Sequence, residues 1–243
     1  MRQRKNHNNL TIWEHVTVLR ATIFRMIAVF LFSVSVVHYF HQQIIEFLLV
    51  PLDTSTLQFL SPLDPLYFIL TIDFVVGLLI SLPFLLLFIW FYISPAINIK
   101  WWIPFFFILA INILTLSAFI YSYLLVVPLI LHFMNSITIP GTNMSLTANG
   151  YLSFFITTTL ILVLIFQIPI FIFIGIWIKI LNRDYIKKKR PYIYISIVIV
   201  SAIITPTTDI ITLLLVSIPG VVAVELGITI SGLLLQNKQV HDI

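Results

Sequence analysis

The stretch that decides the fold is "AIITPTTDIITLLLVSIPGVVAVELG", residues 202–227. It is apolar except for a Thr-Pro-Thr-Thr-Asp interruption at 205–209 and a glutamate, Glu225, near its end. Fourteen residues, 191–204, separate the interruption from the last preceding cation, Arg190. A helix of that length spans roughly 21 Å, whereas the hydrocarbon core of a bilayer is about 30 Å thick. The stretch therefore belongs either to one overlong helix or to two crossings, of which the first falls short.

The composition of the whole chain excludes a water-soluble domain. Of its 243 residues, 60% are hydrophobic and 9% are charged, whereas a soluble domain carries about 25% charged residues. Because so few polar residues cannot cover a water-facing surface, the sequence predicts an integral membrane protein. Residues 1–20 are polar and basic, so we expect no cleavable signal peptide.

The residue types that carry catalysis or bind cofactors are scarce. The chain has no cysteine, which excludes disulfides and thiolate metal sites. The sequence shows neither a glycine-rich phosphate loop nor a His pair at zinc-helix spacing. We therefore expect no catalytic residues, no metal, no cofactor and no nucleic-acid partner, and we do not expect an enzyme. The net charge of +4 lies in loops beside apolar segments, where topology explains it.

Six segments are apolar enough to be interpreted as membrane helices. They lie near residues 23–39, 66–93, 103–126, 151–178, 192–204 and 210–234.

The positive charges give these helices an orientation. The connections 40–65 and 127–150 contain no Lys or Arg, so both are predicted to lie outside. By the same rule the amino end lies inside, and Lys238 places the carboxyl end inside as well. The 13 Lys and Arg fall in the region up to Arg25, at Lys100, between Lys179 and Arg190, and at Lys238.

The interruption at 205–209 is then interpreted as an outside turn. An inside tail requires an even number of crossings after Arg190, and a single helix would give an odd number. Pro206 cannot continue an α-helical ladder, and Thr208 or Asp209 can cap the helix that follows. The sequence predicts an all-α integral membrane protein with six transmembrane helices, both ends inside and the last two helices short. We expect residues 1–243 to form a single membrane domain.

Several stretches, in this order and spacing, resemble the TatC family, the core subunit of twin-arginine protein translocases. They are "EHVTVLRATIF" (14–24), "SPLDPLYFIL" (61–70), "FQIP" (166–169), "TPTTD" (205–209) and "IPGVVAVELG" (218–227). The resemblance implies a concave bundle that binds signal peptides of folded precursor proteins. It also implies recruitment of TatA-type and TatB-type single-helix membrane proteins, assembly into a homo-oligomeric complex in the lipid bilayer, and driving by the proton-motive force.

The amino-end motif departs from the family pattern. Val18 stands where the family has a Glu, and Thr22 stands where it has a second Arg. Paired carboxylates bind guanidinium groups strongly, so losing an acid argues against recognition of a strict twin-arginine motif and favours docking through an apolar signal helix. The candidate signal-peptide ligands are Glu14, His15 and Arg20, of which His15 and Arg20 are equally consistent with binding lipid headgroups.

Three polar residues lie within predicted helices, where an unpaired polar group is costly. Gln167, which replaces a Glu of the family, is either an interhelical hydrogen-bonding group or part of a polar groove. For Glu225 we favour contact with a partner or substrate over a structural hydrogen bond. For Asp73 we slightly favour a structural role. Prolines predicted to kink helices and shape a concave wall are Pro83, Pro128, Pro169 and Pro219.

Two other classes of protein remain open at this point. A small-solute transporter is expected to show paired half-repeats, and a structural subunit of a respiratory complex would not explain the ordered motifs. Abundant Ile, Phe and Asn, together with the altered motifs, suggest a mitochondrial inner membrane. A bacterial plasma membrane is the second choice, and a plastid thylakoid is the third.

Overall fold

The computed structural model describes residues 12–52, 57–93, 102–136, 146–204 and 210–239, and these are almost entirely helical. The α-helices are α1 (Ile12–Tyr39), α2 (His41–Leu49), α3 (Asp64–Ile93), α4 (Trp102–Tyr121), α5 (Val127–Ser136), α6 (Ala148–Phe166), α7 (Ile168–Trp177), α8 (Arg183–Lys188), α9 (Arg190–Ile204) and α10 (Ile210–Gln239). A 3₁₀ turn, Val50–Leu52, follows α2, and a π-helix, Ser122–Val126, joins α4 to α5. Two short strands are β1 (Leu57–Gln58) and β2 (Leu146–Thr147).

The chain forms two compact units. The first comprises Met1–Val50 and Phe59–Asn112, and the second comprises Pro51–Gln58 and Ile113–Ile243.

In the first unit, α1 packs along α3. The two helices approach closely at Gly77, where a Cβ atom would lie 2.7 Å from a methyl carbon of Val34 and 3.1 Å from its Cα. Small residues allow membrane helices this proximity, and the packing that results drives their association. Phe68 and Ile72 are buried on the same helix, α3, which begins after a turn closed by Asp64. The Asp64 carboxylate accepts hydrogen bonds from the backbone N–H groups of Leu60 and Ser61, both at 2.9 Å.

In the second unit, α10 is the central helix and contacts α6, α7, α8 and α9. Two apolar clusters fill the spaces around it. One is Ala118, Val126, Ile130, Leu162 and Val216, and the other is Ile186, Val224 and Ile228.

The two short strands pair within the second unit. β1 pairs with β2 in parallel, with Leu57 opposite Leu146 and Gln58 opposite Thr147.

The prolines act in two different ways. Pro83 and Pro219 lie inside continuous helices, α3 and α10. Pro128 is the second residue of α5, just after the π-helix, and Pro169 is the second residue of α7, just after the break at Gln167. Because proline lacks an N–H and its ring clashes with the carbonyl four residues earlier, a widened turn before Pro128 and a break before Pro169 are the expected local responses. Pro206 and Asp209 lie outside the described residues.

Among the described residues, five helical stretches are long and apolar enough to cross a membrane, and α9 is a shorter apolar helix. The five are Val16–Tyr39, Asp64–Tyr92, Pro104–Met134, Ala148–Trp177 and Ile210–Leu233. The all-α membrane architecture predicted from the sequence is confirmed. The count of six crossings, their orientation and the single domain remain predictions.

One part of the fold prediction is wrong. Only α9, with 15 residues, is short, whereas α10 has 30 residues and is long enough to span the bilayer. The helix tolerates Glu225 and several glycines because neighbouring helices pack against them, so these residues do not shorten it.

Candidate functional site

Gln167 lies at the break between α6 and α7 and is 9% exposed. Its backbone carbonyl accepts from the N–H groups of Ile170 and Phe171, at 3.0 and 3.2 Å, and so begins α7. Its side-chain amide donates to the Thr115 hydroxyl on α4 at 3.0 Å. The amide therefore ties the break to a neighbouring helix.

A second polar contact joins the π-helix to α6. Ser122 and Thr159 are both buried, and their hydroxyl oxygens lie 2.8 Å apart. Sequence reasoning missed this pair because hydroxyls are common in membrane helices and can bond to their own backbone.

A third polar contact joins α4 to α10. The Tyr121 hydroxyl donates to the backbone carbonyl of Leu215 at 3.0 Å. Leu215 lies four residues before Pro219, so its carbonyl lacks the N–H that an ordinary helix would supply. Tyr121 replaces that missing donor, and the spacing of Leu215 from Pro219 is a signal that the sequence does contain.

Glu225 on α10 is held by two residues at the start of α9. Its carboxylate accepts from the Arg190 guanidinium at 2.8 Å and from the Tyr194 hydroxyl in a short hydrogen bond. The side chains of Arg190 and Glu225 are 38% and 36% exposed. This arrangement is the structural hydrogen bond that the sequence analysis ranked second for Glu225.

A further arginine fixes the basic segment to α10. Arg183 donates through Nε to the Ile228 carbonyl at 3.2 Å. Its guanidinium occupies the space beside Gly232, where a Cβ atom would meet it at 1.8 Å. Asn182 caps α8 by accepting from the backbone N–H of Asp184 at 2.9 Å. The cluster of Lys and Arg at 179–190 therefore has a packing role as well as the topological one inferred from sequence.

Asp73 belongs to the first unit and is 2% exposed. Its carboxylate lies 2.7 Å from Nδ1 of His38, a residue near the end of α1 that is 63% exposed. The His38 ring stacks on His41, with 5.3 Å between ring centroids. The structure thus gives Asp73 a partner on α1 that the sequence analysis did not identify.

The amino-end candidates lie on α1. Arg20 is exposed, with its guanidinium carbon 5.6 Å from the centre of the Phe24 ring. Val18 is exposed, whereas Thr22 is buried and donates to the Val18 carbonyl at 2.9 Å. The side chains of Glu14 and His15 lie outside the described part of the chain.

A cavity of about 570 Å³ opens in the second unit, between the α6–α7 break, α8, α9 and α10. Ile168 and Val224, the neighbours of Gln167 and Glu225, line it. Gln167 and Glu225 are turned toward Thr115 and Arg190 instead, and nine of the twelve described residues that line the cavity are Ile, Leu or Val. No cluster of three or more His, Asp or Glu suited to a metal ion occurs in the part of the chain that the structure describes.

Comparisons with known proteins agree on one family. The family model for the Sec-independent protein translocase protein TatC matches residues 14–219. TatC of Koribacter versatilis is 26% identical to this chain, and the match covers 92% of this chain and 86% of the relative. TatC of Aquifex aeolicus is also 26% identical, and the match covers 95% of this chain and 98% of the relative. A crystal structure of the twin-arginine translocase receptor TatC superimposes with a TM-score of 0.72 at 25% identity, covering 90% of this chain and 98% of that one. A second crystal structure of that receptor, in DDM, superimposes with a TM-score of 0.74 at 25% identity and covers 89% of this chain and 99% of that one. This multi-pass membrane chain therefore belongs to the TatC family of Sec-independent protein translocase proteins.

Proposed function

We propose that this chain is the receptor subunit of a membrane protein translocase, which binds the signal peptide of folded precursor proteins and recruits TatA-type and TatB-type single-helix proteins. The observation that carries this function is the family match over residues 14–219. Transport draws on the proton-motive force in this proposal, and several copies of the chain assemble in the complex.

The signal peptide docks mainly through its apolar helix. Val18 is an exposed apolar residue where the family has an acid, and Thr22 satisfies its hydroxyl within its own helix. Glu14, His15 and Arg20 lie on the same inner part of α1 and supply the polar contacts.

Gln167, Glu225 and Asp73 shape surfaces for partner helices. Each is engaged by a neighbouring helix, through Thr115, Arg190 and His38 respectively. These three contacts set the spacing of the helices, and a single-helix partner binds to the surface that the helices form.

The test is photocrosslinking of a radioactive precursor to the full chain in membrane vesicles, with co-purification of single-helix partners. We expect Glu14→Gln to weaken crosslinking several-fold, since it removes the carboxylate nearest to the signal peptide. The matched control is Glu46→Gln, an exposed glutamate on α2 at the opposite end of α1. A protonophore is expected to stop export and to leave signal-peptide crosslinking intact. Recovery of the chain without precursor or single-helix partner would contradict the proposal.

For location we propose a mitochondrial inner membrane, on the strength of 21 Phe and the altered amino-end motif. The bacterial origin of the relatives described above supports a plasma membrane as the alternative. Identification of the genome that encodes the chain separates the two, because a bacterial chromosome would exclude the organelle.

A further inference from the structure

The mostly aliphatic cavity of the second unit lies against several turns of one helix, α9. Along α9 it extends from Tyr192 to Ser201, nine residue steps or about 14 Å of helix. The length of this cavity and its apolar wall suit an extended acyl chain.

One end of the cavity is strongly basic. Ile186 and Tyr192 line it and flank the run Lys187–Arg190. The Lys189 ammonium lies 4.8 Å from the centre of the Tyr192 ring, which places this cation at the mouth.

The end of the cavity beside Lys187–Arg190 keeps a positive charge after the ion pairs within the chain are counted. Arg190 is neutralised by Glu225, and Asp184 on α8 is the one acid between residues 183 and 190. Lys188 and Lys189 are exposed, and Lys187 is half-buried. A ligand that ends here must carry negative charge.

We propose that this cavity holds one acyl chain of an anionic glycerophospholipid, whose phosphate is bound by Lys187, Lys188 and Lys189. The aliphatic wall accepts the chain, and the lysines accept the headgroup. Basic pockets between membrane helices on the inner side bind such headgroups in other proteins. A bound lipid also fills the space beside the short helix α9, where the bilayer must otherwise thin.

Native mass spectrometry of the purified full-length chain tests the proposal, with phosphatidylglycerol and phosphatidylcholine added in turn. We expect the chain to retain phosphatidylglycerol in preference. The triple variant Lys187→Gln, Lys188→Gln, Lys189→Gln is expected to lose the preference, since each lysine near an anionic headgroup contributes about fivefold in affinity. Arg25→Gln, an exposed cation on α1, is the matched control and should bind as the native chain does.

A second pair of variants tests the acyl-chain site without altering charge. Val200 and its neighbour Ile199 are both exposed on α9, but only Val200 is among the residues that line the cavity. Val200→Trp fills the cavity and should weaken retention of phosphatidylglycerol about tenfold, the contribution of roughly two buried methylene groups. Ile199→Trp should have no effect.

Equal retention of the two lipids by the native chain would overturn the proposal. So would unchanged binding by Val200→Trp, or crosslinking of a photoreactive group at position 200 to a protein instead of a lipid. Because these measurements involve no precursor, they can fail or succeed independently of the translocase assignment.

Discussion

At the scale of single residues, the second unit is held together by side chains that complete the backbone of other helices. Tyr121 supplies the hydrogen bond that Pro219 cannot donate to the Leu215 carbonyl. Such bonds count more inside a membrane, where no water can substitute for the missing donor.

Tyr121→Phe should therefore destabilise the purified chain by about 0.6 kcal/mol, the average measured for hydrogen bonds between membrane helices, and by no more than about 1.7 kcal/mol. Thermal unfolding in detergent measures the change. Tyr67→Phe, which alters an exposed tyrosine on α3, is the control. In a Pro219→Ala background the cost of Tyr121→Phe should shrink, because residue 219 regains an N–H for Leu215. An equal cost in both backgrounds would rule out this account of Tyr121.

The Arg190–Glu225 pair gives a second prediction at this scale. Both side chains are about one-third exposed, so the pair is worth about 1 kcal/mol or less. Arg190→Met should destabilise the native chain and should cost less when Glu225→Gln is already present. A double-mutant cycle in thermal unfolding, repeated at high salt, measures this coupling, which salt should weaken. A coupling energy of zero would mean that the contact is incidental.

The sequence predicted which residues are polar inside the membrane, and it did not predict their partners. Arg190 and Glu225 lie 35 positions apart, and His38 lies 35 positions from Asp73. Spacing identifies partners only within a helix, through neighbours three or four positions away. Contacts between residues on different helices depend on how each helix is rotated about its axis and how deep each residue lies in the membrane. The sequence does not give either quantity.

At the scale of helices, α10 packs tightly through its glycines. A Cβ atom at Gly227 would lie 3.0 Å from the Pro169 Cα and 3.0 Å from the Ile172 Cβ. A larger residue here must push α7 away.

Gly227→Leu should consequently destabilise the chain by about 1–3 kcal/mol, the usual cost of overpacking. Thermal unfolding is again the measurement. Val222→Leu, at an exposed position on the same helix, adds one methylene away from α7 and is the control. If both variants unfold at the same temperature, close approach of α7 and α10 is not required.

The length of α9 leads to a prediction about the bilayer. Its 15 residues extend about 22 Å, less than the roughly 30 Å of an average hydrocarbon core. The chain should therefore be more stable in lipids with short acyl chains than in lipids with long ones. Unfolding in bilayers of graded thickness measures this, and a variant with four leucines inserted after Val198 should shift the preference toward thicker bilayers. A native chain that is insensitive to thickness would contradict it.

Periodicity and apolar length identified most helices, and each predicted segment falls within the structure's helices or overlaps them. The segment predicted at 151–178 is interrupted at Gln167, and the helix predicted at 103–126 continues through the π-helix to Ser136. Pro128 and Pro169 mark both places, but the sequence does not say whether a proline bends a helix or breaks it. The α8 helix was missed because it has only six residues, four of them charged, and is too short to show an apolar period.

At the scale of the whole molecule, the predicted topology is open to direct measurement. The chain has no native cysteine, so a single introduced thiol reports its own side of the membrane. Thr207→Cys should react with an impermeant reagent from the outside only, and Lys238→Cys should react from the inside only. Reaction of both thiols from one side would mean that residues 207 and 238 are not separated by a single crossing, and it would overturn the six-helix arrangement.

The small parallel pairing of β1 with β2 has a consequence for biogenesis. Leu57 and Leu146 are partners although 89 positions separate them, and two membrane-length helical stretches lie between them. Two strands of two residues are far too small to persist alone, so the ladder can close only after the intervening stretches have both been inserted. Pairing of the strands would therefore distinguish correctly inserted chains from misinserted ones. In a misinserted chain the two strands would stay unpaired, and the connections that carry them would be more easily cleaved by a protease.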